Sequence, residues 1–175
     1  MMQAPPFIRR FVQAALLDVD LYNEVEADAT LNRQAAAVVV ISTALTGFGS
    51  VAATDVNVLV GFATGVATGL MGWLVWSGIA LLVGTRLFSG TSDYGEMLRV
   101  IGFAYAPLAI GVIPWLGFIG ALWSLVAAVI AVREGMDFST GRAVVTMAVG
   151  WGVWLLLSVA VHAIIGFELA GSWPF

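Results

Sequence analysis

The chain has no cysteine, no lysine, a single histidine and little charge of either sign. Without cysteine it forms no disulfide and no thiolate metal site. With His162 as the sole histidine, a Ser-His-Asp set could form only around that residue. Charged residues make up 10% of the 175 positions, against about a quarter in soluble domains. The net charge of -4 argues against nucleic acid as a partner.

Motifs of cofactor and metal chemistry are missing as well. No Walker loop or dinucleotide fingerprint occurs, because the glycines are spread along the apolar runs. Asp93 and Glu96 stand three residues apart ahead of such a run, which predicts a capping box at a helix start rather than a metal site. We therefore expect a non-enzymatic protein with no catalytic residue, no metal, no cofactor and no soluble small-molecule substrate.

Apolar residues dominate: 61% of the chain is hydrophobic, and the mean hydropathy is +0.99. The longest uncharged stretch covers residues 100–132, between Arg99 and Arg133. As one helix it would be about 50 Å long, whereas the hydrocarbon core of a bilayer is about 30 Å thick. It also contains Pro107 and Pro114, each of which disrupts a helix. We predict two short spans with a reversal at residues 113–115.

The other apolar runs complete a predicted all-α, multi-pass transmembrane bundle of five spans, residues 35–167. With the N-terminus in the cytoplasm, all seven arginines lie on the cytoplasmic side, as the positive-inside rule requires. The outer side keeps only Asp55 and Glu168, and residues 168–175 form an external tail. We expect a location in the cell membrane, the inner membrane of a bacterium. The predicted spans are residues 35–54, 56–84, 100 to about 112, 116–132 and 143–167.

Gly61, Gly65 and Gly69 recur at every fourth position of the second predicted span. Residues four apart share one helix face, so these glycines form a flat groove that another helix can approach closely. We expect packing within the chain, against the first or fifth span. A homodimer face is the alternative.

His162 shares a helical stripe with Trp151, Trp154 and Ser158 in the fifth predicted span. An ionisable residue inside a membrane is a functional candidate by default. Here no acidic partner is evident within the spans. We interpret His162 as an interfacial or bundle-facing histidine with local hydrogen bonds, and as a weak candidate for a functional residue.

Residues 1–34, the N-terminal region, are the one extended polar part of the chain, predicted on the cytoplasmic side. Phe7, Phe11 and Leu16 recur on one face of residues 7–17, while Arg9 and Arg10 occupy another. This pattern predicts an amphipathic helix lying on the membrane surface. We expect its apolar side chains to enter the bilayer and its arginines to meet anionic headgroups.

Five acidic residues follow between positions 18 and 28. Anionic headgroups would repel them, so we expect this run to project away from the membrane. It is either a solvated linker or a docking surface for a partner. The candidates for the partner surface are Tyr22, Glu24, Glu26 and Asp28.

Several segments, taken in order, resemble the Yip1 family of five-span membrane proteins. They are the acidic segment 21–28, the loop 84–91 with its Phe-x-Gly, and the stretch 98–107, LRVIGFAYAP. The last is the most specific, and its motif residues are Arg99, Gly102, Tyr105 and Pro107. The resemblance covers roughly residues 21–167 and implies a non-enzymatic integral membrane protein of a bacterial type. Eukaryotic members partner small GTPases in vesicle traffic, a partner that does not transfer to bacteria.

Two functions remain open at this point. The first is a membrane scaffold or accessory subunit that contacts the bilayer and other membrane proteins or a second copy of itself. The second is a small channel or transporter that uses the proline-broken third span, since broken helices bind substrates through backbone groups. A polar cavity at mid-membrane would favour the second.

Overall fold

The computed structural model describes residues 7–51 and 57–165. Within these ranges the chain is all-helical and contains no strand. Two 3₁₀ segments, Ala29–Leu31 and Ala106–Val112, lie between α-helices. The α-helices are α1 Phe7–Ala15, α2 Val19–Ala27, α3 Asn32–Val51, α4 Val58–Phe88, α5 Tyr94–Phe103, α6 Gly117–Gly135 and α7 Thr140–Ile165.

Three of these helical stretches are long and apolar enough to cross a membrane: Val58–Phe88, Tyr94–Val112 and Gly117–Gly135. The last two divide the long uncharged stretch into two helical stretches, as predicted, and Tyr94–Val112 is called the third span below. The chain reverses between them around Pro114. Trp115 takes a left-handed backbone conformation there, with φ 75°, and its side chain is 89% exposed.

Neighbouring helices run in opposite directions, as contacts along each pair show. As residue numbers rise along one helix of a pair, the residues that it contacts on the other helix have falling numbers. The two helices are therefore antiparallel. For α4 on α3 the contacts are Gly61 with Val51 and Gly65 with Thr43; for α6 on the third span they are Gly120 with Pro107 and Gly135 with Val100.

The acidic run forms a helix that packs on the bundle, so the alternative of a solvated linker is wrong. Helix α2 begins at Asp18, whose carboxylate accepts the Asp20 N–H, and it packs against α5 and α6. Its apolar side chains Leu21, Tyr22 and Val25 are fully buried. Side chains at this three- and four-residue spacing share one face of a helix, and this face is buried. The acidic residues between them in the sequence make the segment look polar throughout.

Helix α1 packs against α2, α6 and the second 3₁₀ segment. Phe7 and Phe11 contact the protein core, and Arg10 is only 3% exposed. The expectation that Arg10 meets headgroups is therefore wrong, whereas both phenylalanines are partly buried. Ile8, Val12 and Leu16 are the outward apolar side chains, 75%, 48% and 71% exposed. Arg10 turns inward because acceptors on α2 and α3 satisfy it there.

Candidate functional site: the broken third span and the region docked on it

Helix α5, which carries the motif residues, starts at the predicted capping box. The Asp93 carboxylate accepts the Glu96 N–H at 2.9 Å, and the Glu96 carboxylate accepts the Asp93 N–H at 2.9 Å. Both bonds satisfy N–H groups that the first helical turn leaves without a partner. The prediction of a capping box is confirmed, and it places Arg99 one turn further along the helix.

Arg99 joins the third span to the N-terminal region. Its side chain is buried, and its Nε donates to the Val25 carbonyl at 3.0 Å and its Nη2 to the Glu26 carbonyl at 2.6 Å. Its Nη1 also reaches the Asn32 Oδ1 at 3.5 Å. Because the last carbonyls of a helix lack internal donors and carry partial negative charge, a guanidinium at this end of α2 is favourable.

Arg10 makes a second set of hydrogen bonds to α2, within the N-terminal region. Its Nη2 and Nε donate to the Glu24 carboxylate at 2.6 and 3.1 Å, and its Nη1 donates to the Gln34 amide oxygen at 3.2 Å. These bonds connect α1 to α2 and to the start of α3. Arg10 and Arg99 thus bond to consecutive residues in the C-terminal half of α2, Arg10 from α1 and Arg99 from α5.

The third span breaks immediately after α5, at residues 104–107, here called the break. Pro107 has no N–H, and the Leu108 N–H bonds to the Tyr105 carbonyl in a 3₁₀ pattern, so the Ala104 carbonyl loses its usual helical donor. The Ser124 hydroxyl donates to that carbonyl at 2.7 Å. Thr46 likewise donates to the Leu108 carbonyl at 2.8 Å. Side chains of α6 and α3 thus satisfy backbone groups that lipid could not.

Close backbone packing surrounds the break. A Cβ added to Gly102 would lie 2.9 Å from the Ala35 Cβ, and one added to Gly49 would lie 1.9 Å from the Gly111 carbonyl oxygen. Gly120 likewise faces the Pro107 carbonyl. Sequence reasoning missed Gly49, Gly111 and Gly120, because isolated glycines on different helices show no local repeat.

The glycine stripe of the second span lies against α3. Added Cβ atoms would sit 2.3 Å from Val51 at Gly61, 3.0 Å from the Thr43 carbonyl at Gly65, and 2.3 Å from the Thr43 side chain at Gly69. The groove is therefore filled from within the chain, by α3, and offers no room there for a second copy.

The structure removes Tyr22 from the predicted partner surface. Its side chain is 0% exposed, its hydroxyl donates to the Ala14 carbonyl at 3.4 Å, and burial raises the pKa of the phenol. Glu24 stays near the surface but is engaged by Arg10.

Glu26 and Asp28 lie at the C-terminal end of α2 and differ in their electrostatics. Burial, and then the nearby acids Asp137, Glu96 and Glu134, raise the pKa of Glu26. Asp28 accepts the Thr30 hydroxyl at 2.7 Å and the Thr30 N–H at 2.9 Å, and these bonds lower the pKa of its carboxyl. In the described part of the chain, no group of three histidines or acids could hold a metal ion.

A cavity of about 360 Å³ lies beside the break, between the third span and helices α4, α6 and α7. Among the described residues on its walls, Tyr105 and Ser124 carry hydroxyl groups, and the other side chains are apolar. Its largest walls are the indoles of Trp76 and Trp151. His162 falls within α7, but its side chain lies outside the described residues.

Comparison with known proteins gives one match. The model of the Yip1 domain matches residues 21–162, from the buried face of α2 to the last turns of α7. No curated protein and no solved structure matches the chain. The matched range includes both buried partners of Arg99 and the whole broken span. The chain therefore belongs to the Yip1 domain family.

Proposed function

We propose that this protein is a five-span membrane protein with a cytoplasmic N-terminus that acts as a non-enzymatic scaffold or accessory subunit. It would work through contacts with other membrane proteins. Helices α3 and α7 would supply the first and fifth spans beside the three stretches that satisfy the membrane criteria. The antiparallel packing of α4 on α3 and of α6 on the third span supports this arrangement.

The arginine distribution supports the orientation. Gly84, near the end of α4, packs against Met136, just past the end of α6, and α7 begins four residues after Met136. These three helix ends carry Arg86, Arg133 and Arg142. A membrane with its cytoplasmic face at this end satisfies the positive-inside rule.

The main support for the scaffold proposal is that backbone carbonyls at the break already accept hydrogen bonds from other helices. A transporter that uses a discontinuous helix needs free backbone groups or a polar cavity at the break. Here Ser124 and Thr46 occupy the carbonyls of Ala104 and Leu108, and the adjoining cavity is walled mainly by apolar side chains. The break acts as a joint between helices, which weighs against transport of ions or polar solutes.

We place the partner contacts on the outer, acidic side of α2. Asp20 and Asn23 are exposed there, and Glu26 and Asp28 are half-buried nearby. Because Arg10 and Arg99 fix α2 against the bundle, this surface has a defined shape. A soluble or peripheral partner with basic residues would fit its charge.

Cross-linking and co-purification of the tagged, full-length protein from native membranes test this function. We expect a reproducible partner that is lost on the double substitution Asp20→Lys, Asn23→Lys, because both side chains are exposed and neither bonds across the fold. Thr91→Lys, at an exposed position of the loop before α5, is the control. A partner that survives the double substitution places the contacts elsewhere, and the absence of any partner contradicts the scaffold role.

A further inference from the structure

Two adjoining cavities form one trough along α4, α6 and α7. The first is the 360 Å³ cavity beside the break, and the second has a volume of about 330 Å³. Both are lined by the same four residues, so they lie side by side. The shared residues are Trp76, Leu125, Met147 and Trp151.

The walls of the trough select a hydrocarbon ligand. None of the described residues that line it is charged, and the Ser124 hydroxyl already donates to the Ala104 carbonyl. A polar solute that moved from water into the trough would lose its hydrogen bonds to water and gain none there. Such a transfer of a polar group into apolar surroundings costs several kcal/mol. An apolar chain loses nothing on entry, and each cavity is of the size of known ligand pockets.

The trough opens sideways onto the apolar exterior of the bundle. Leu125 of α6 and Trp151 of α7 line it and are also 50% and 53% exposed. In a bilayer this exterior meets lipid chains, so a lipid chain is the apolar ligand at the mouth.

Charged residues at the end of the trough nearest the C-terminus of α6 indicate the type of lipid headgroup. On α6 the lining residues Leu125 and Val129 are followed, one turn later, by Arg133, which pairs with Glu134. Glu134 in turn belongs to a group of acids that raises the pKa of Glu26. Arg133 supplies a cation for a phosphate, and Glu134 supplies an acid for an ammonium, and these are the two charges of a zwitterionic headgroup.

We propose that the trough binds one acyl chain of a zwitterionic phospholipid of the phosphatidylethanolamine type, with its headgroup near Arg133. The binding holds the third span, α6 and α7 together around the break. It does not depend on whether the protein acts as a scaffold.

Native mass spectrometry of the detergent-solubilised, full-length protein with added dioleoyl phosphatidylethanolamine tests the proposal. Gly72→Leu fills the trough, since an added Cβ would meet only the Tyr105 hydroxyl, at 3.5 Å. Gly78→Leu is the matched control on the same helix: its Cβ would meet only the Tyr94 ring, at 3.7 Å, and Gly78 does not line the trough. Ala121→Leu, at a lining and exposed position, is the second filling variant and decides the question if Gly72→Leu does not fold.

We expect one bound phospholipid on the parent protein and on Gly78→Leu, and loss of that lipid from the folded filling variants. Dioleoyl phosphatidylglycerol should bind more weakly than the ethanolamine lipid. A parent without bound lipid, or a filling variant that binds it as the parent does, overturns the proposal. So does a filling variant that is merely more thermostable, which identifies the trough as an empty packing defect. Equal binding of both lipids overturns the assignment of the headgroup.

Discussion

Arg99 is a buried cation whose acceptors are backbone carbonyls 74 and 73 positions earlier in the chain. The resemblance to the family pointed to this residue, but no local pattern could reveal its role, because its acceptors belong to another helix. Tyr22 shows the reverse error. Its acidic neighbours suggested a surface, whereas the spacing of Leu21, Tyr22 and Val25 already indicated a buried face.

Arg99→Met should detach the C-terminal end of α2, because the helix loses its charged donors. Hydrogen bonds to charged groups contribute roughly 1.5–3 kcal/mol each, so we expect a clear fall in the free energy of unfolding. Protease cleavage between α2 and α3 should also become faster. Arg86→Met, at an exposed arginine, is the control. Equal unfolding temperatures and cleavage rates for the two variants would show that the Arg99 joint does not hold α2.

Glu26→Gln should stabilise the protein at neutral pH. The fold raises the pKa of Glu26, so the folded state favours the protonated form, and stability falls as the pH rises through that raised pKa. Glutamine removes this penalty. We therefore expect a higher unfolding temperature at pH 7 and a gain that shrinks as the pH is lowered to the ordinary carboxyl range.

Glu24→Gln is the comparison on the same helix and should act in the opposite direction. It removes the carboxylate that pairs with buried Arg10, and a buried cation without its partner is destabilising. Thermal unfolding of both variants between pH 4 and pH 7 measures the difference. A Glu26→Gln variant that is less stable than the parent at pH 7 would be incompatible with the electrostatics described here.

At the scale of helices, the apolar runs predicted most of the architecture. The second and fourth predicted spans, 56–84 and 116–132, correspond to α4 and α6, although α4 runs on to Phe88. Predicted residues 52–54 of the first span and 166–167 of the fifth lie outside the described residues. The third span differs most: its break lies at residues 104–107, inside the span. Proline marked this position, but the hydroxyls that make the break tolerable come from other helices.

Thr46→Val should weaken the contact between α3 and the third span. The Leu108 carbonyl loses its donor in an apolar setting, where such a bond contributes about 0.6–1.7 kcal/mol. Thr68→Val is the control, because the Thr68 hydroxyl is exposed and bonds within α4 alone. Thermal unfolding in detergent compares them; the same unfolding temperature for both would mean that the break needs no donor from α3.

Gly65→Leu should disrupt the packing of α4 on α3, since even a Cβ at Gly65 would lie 3.0 Å from the Thr43 carbonyl oxygen. Overpacking of this kind costs roughly 1–3 kcal/mol or more. Gly152→Leu, on α7, is the control, because no described atom outside its own stretch of helix lies within 4 Å of its added Cβ. If Gly65→Leu is as thermostable as Gly152→Leu, the glycine groove does not limit helix approach.

At the scale of the whole molecule, composition and charge predicted membrane residence, and the fold adds that the N-terminal region belongs to the bundle. The sequence alone could not show this, because the region is polar overall and its buried contacts lie far away in the chain. The segment resembles a flexible tether in sequence. Its buried α2 face and the hydrogen bonds of Arg10 and Arg99 fix it to the rest of the molecule. The proposed partner surface follows from that placement.

Labelling of single cysteines with a membrane-impermeant thiol reagent tests the central claim, the orientation of the bundle with the N-terminal region docked at its cytoplasmic end. The parent has no cysteine, so each introduced thiol is the only target. Asn57→Cys and Ser89→Cys lie at opposite ends of α4, and Asp20→Cys lies on the exposed side of α2. In intact cells we expect labelling of Asn57→Cys alone, and labelling of Ser89→Cys and Asp20→Cys only after the membrane is opened. Labelling of Ser89→Cys or Asp20→Cys from outside in intact cells would contradict the account.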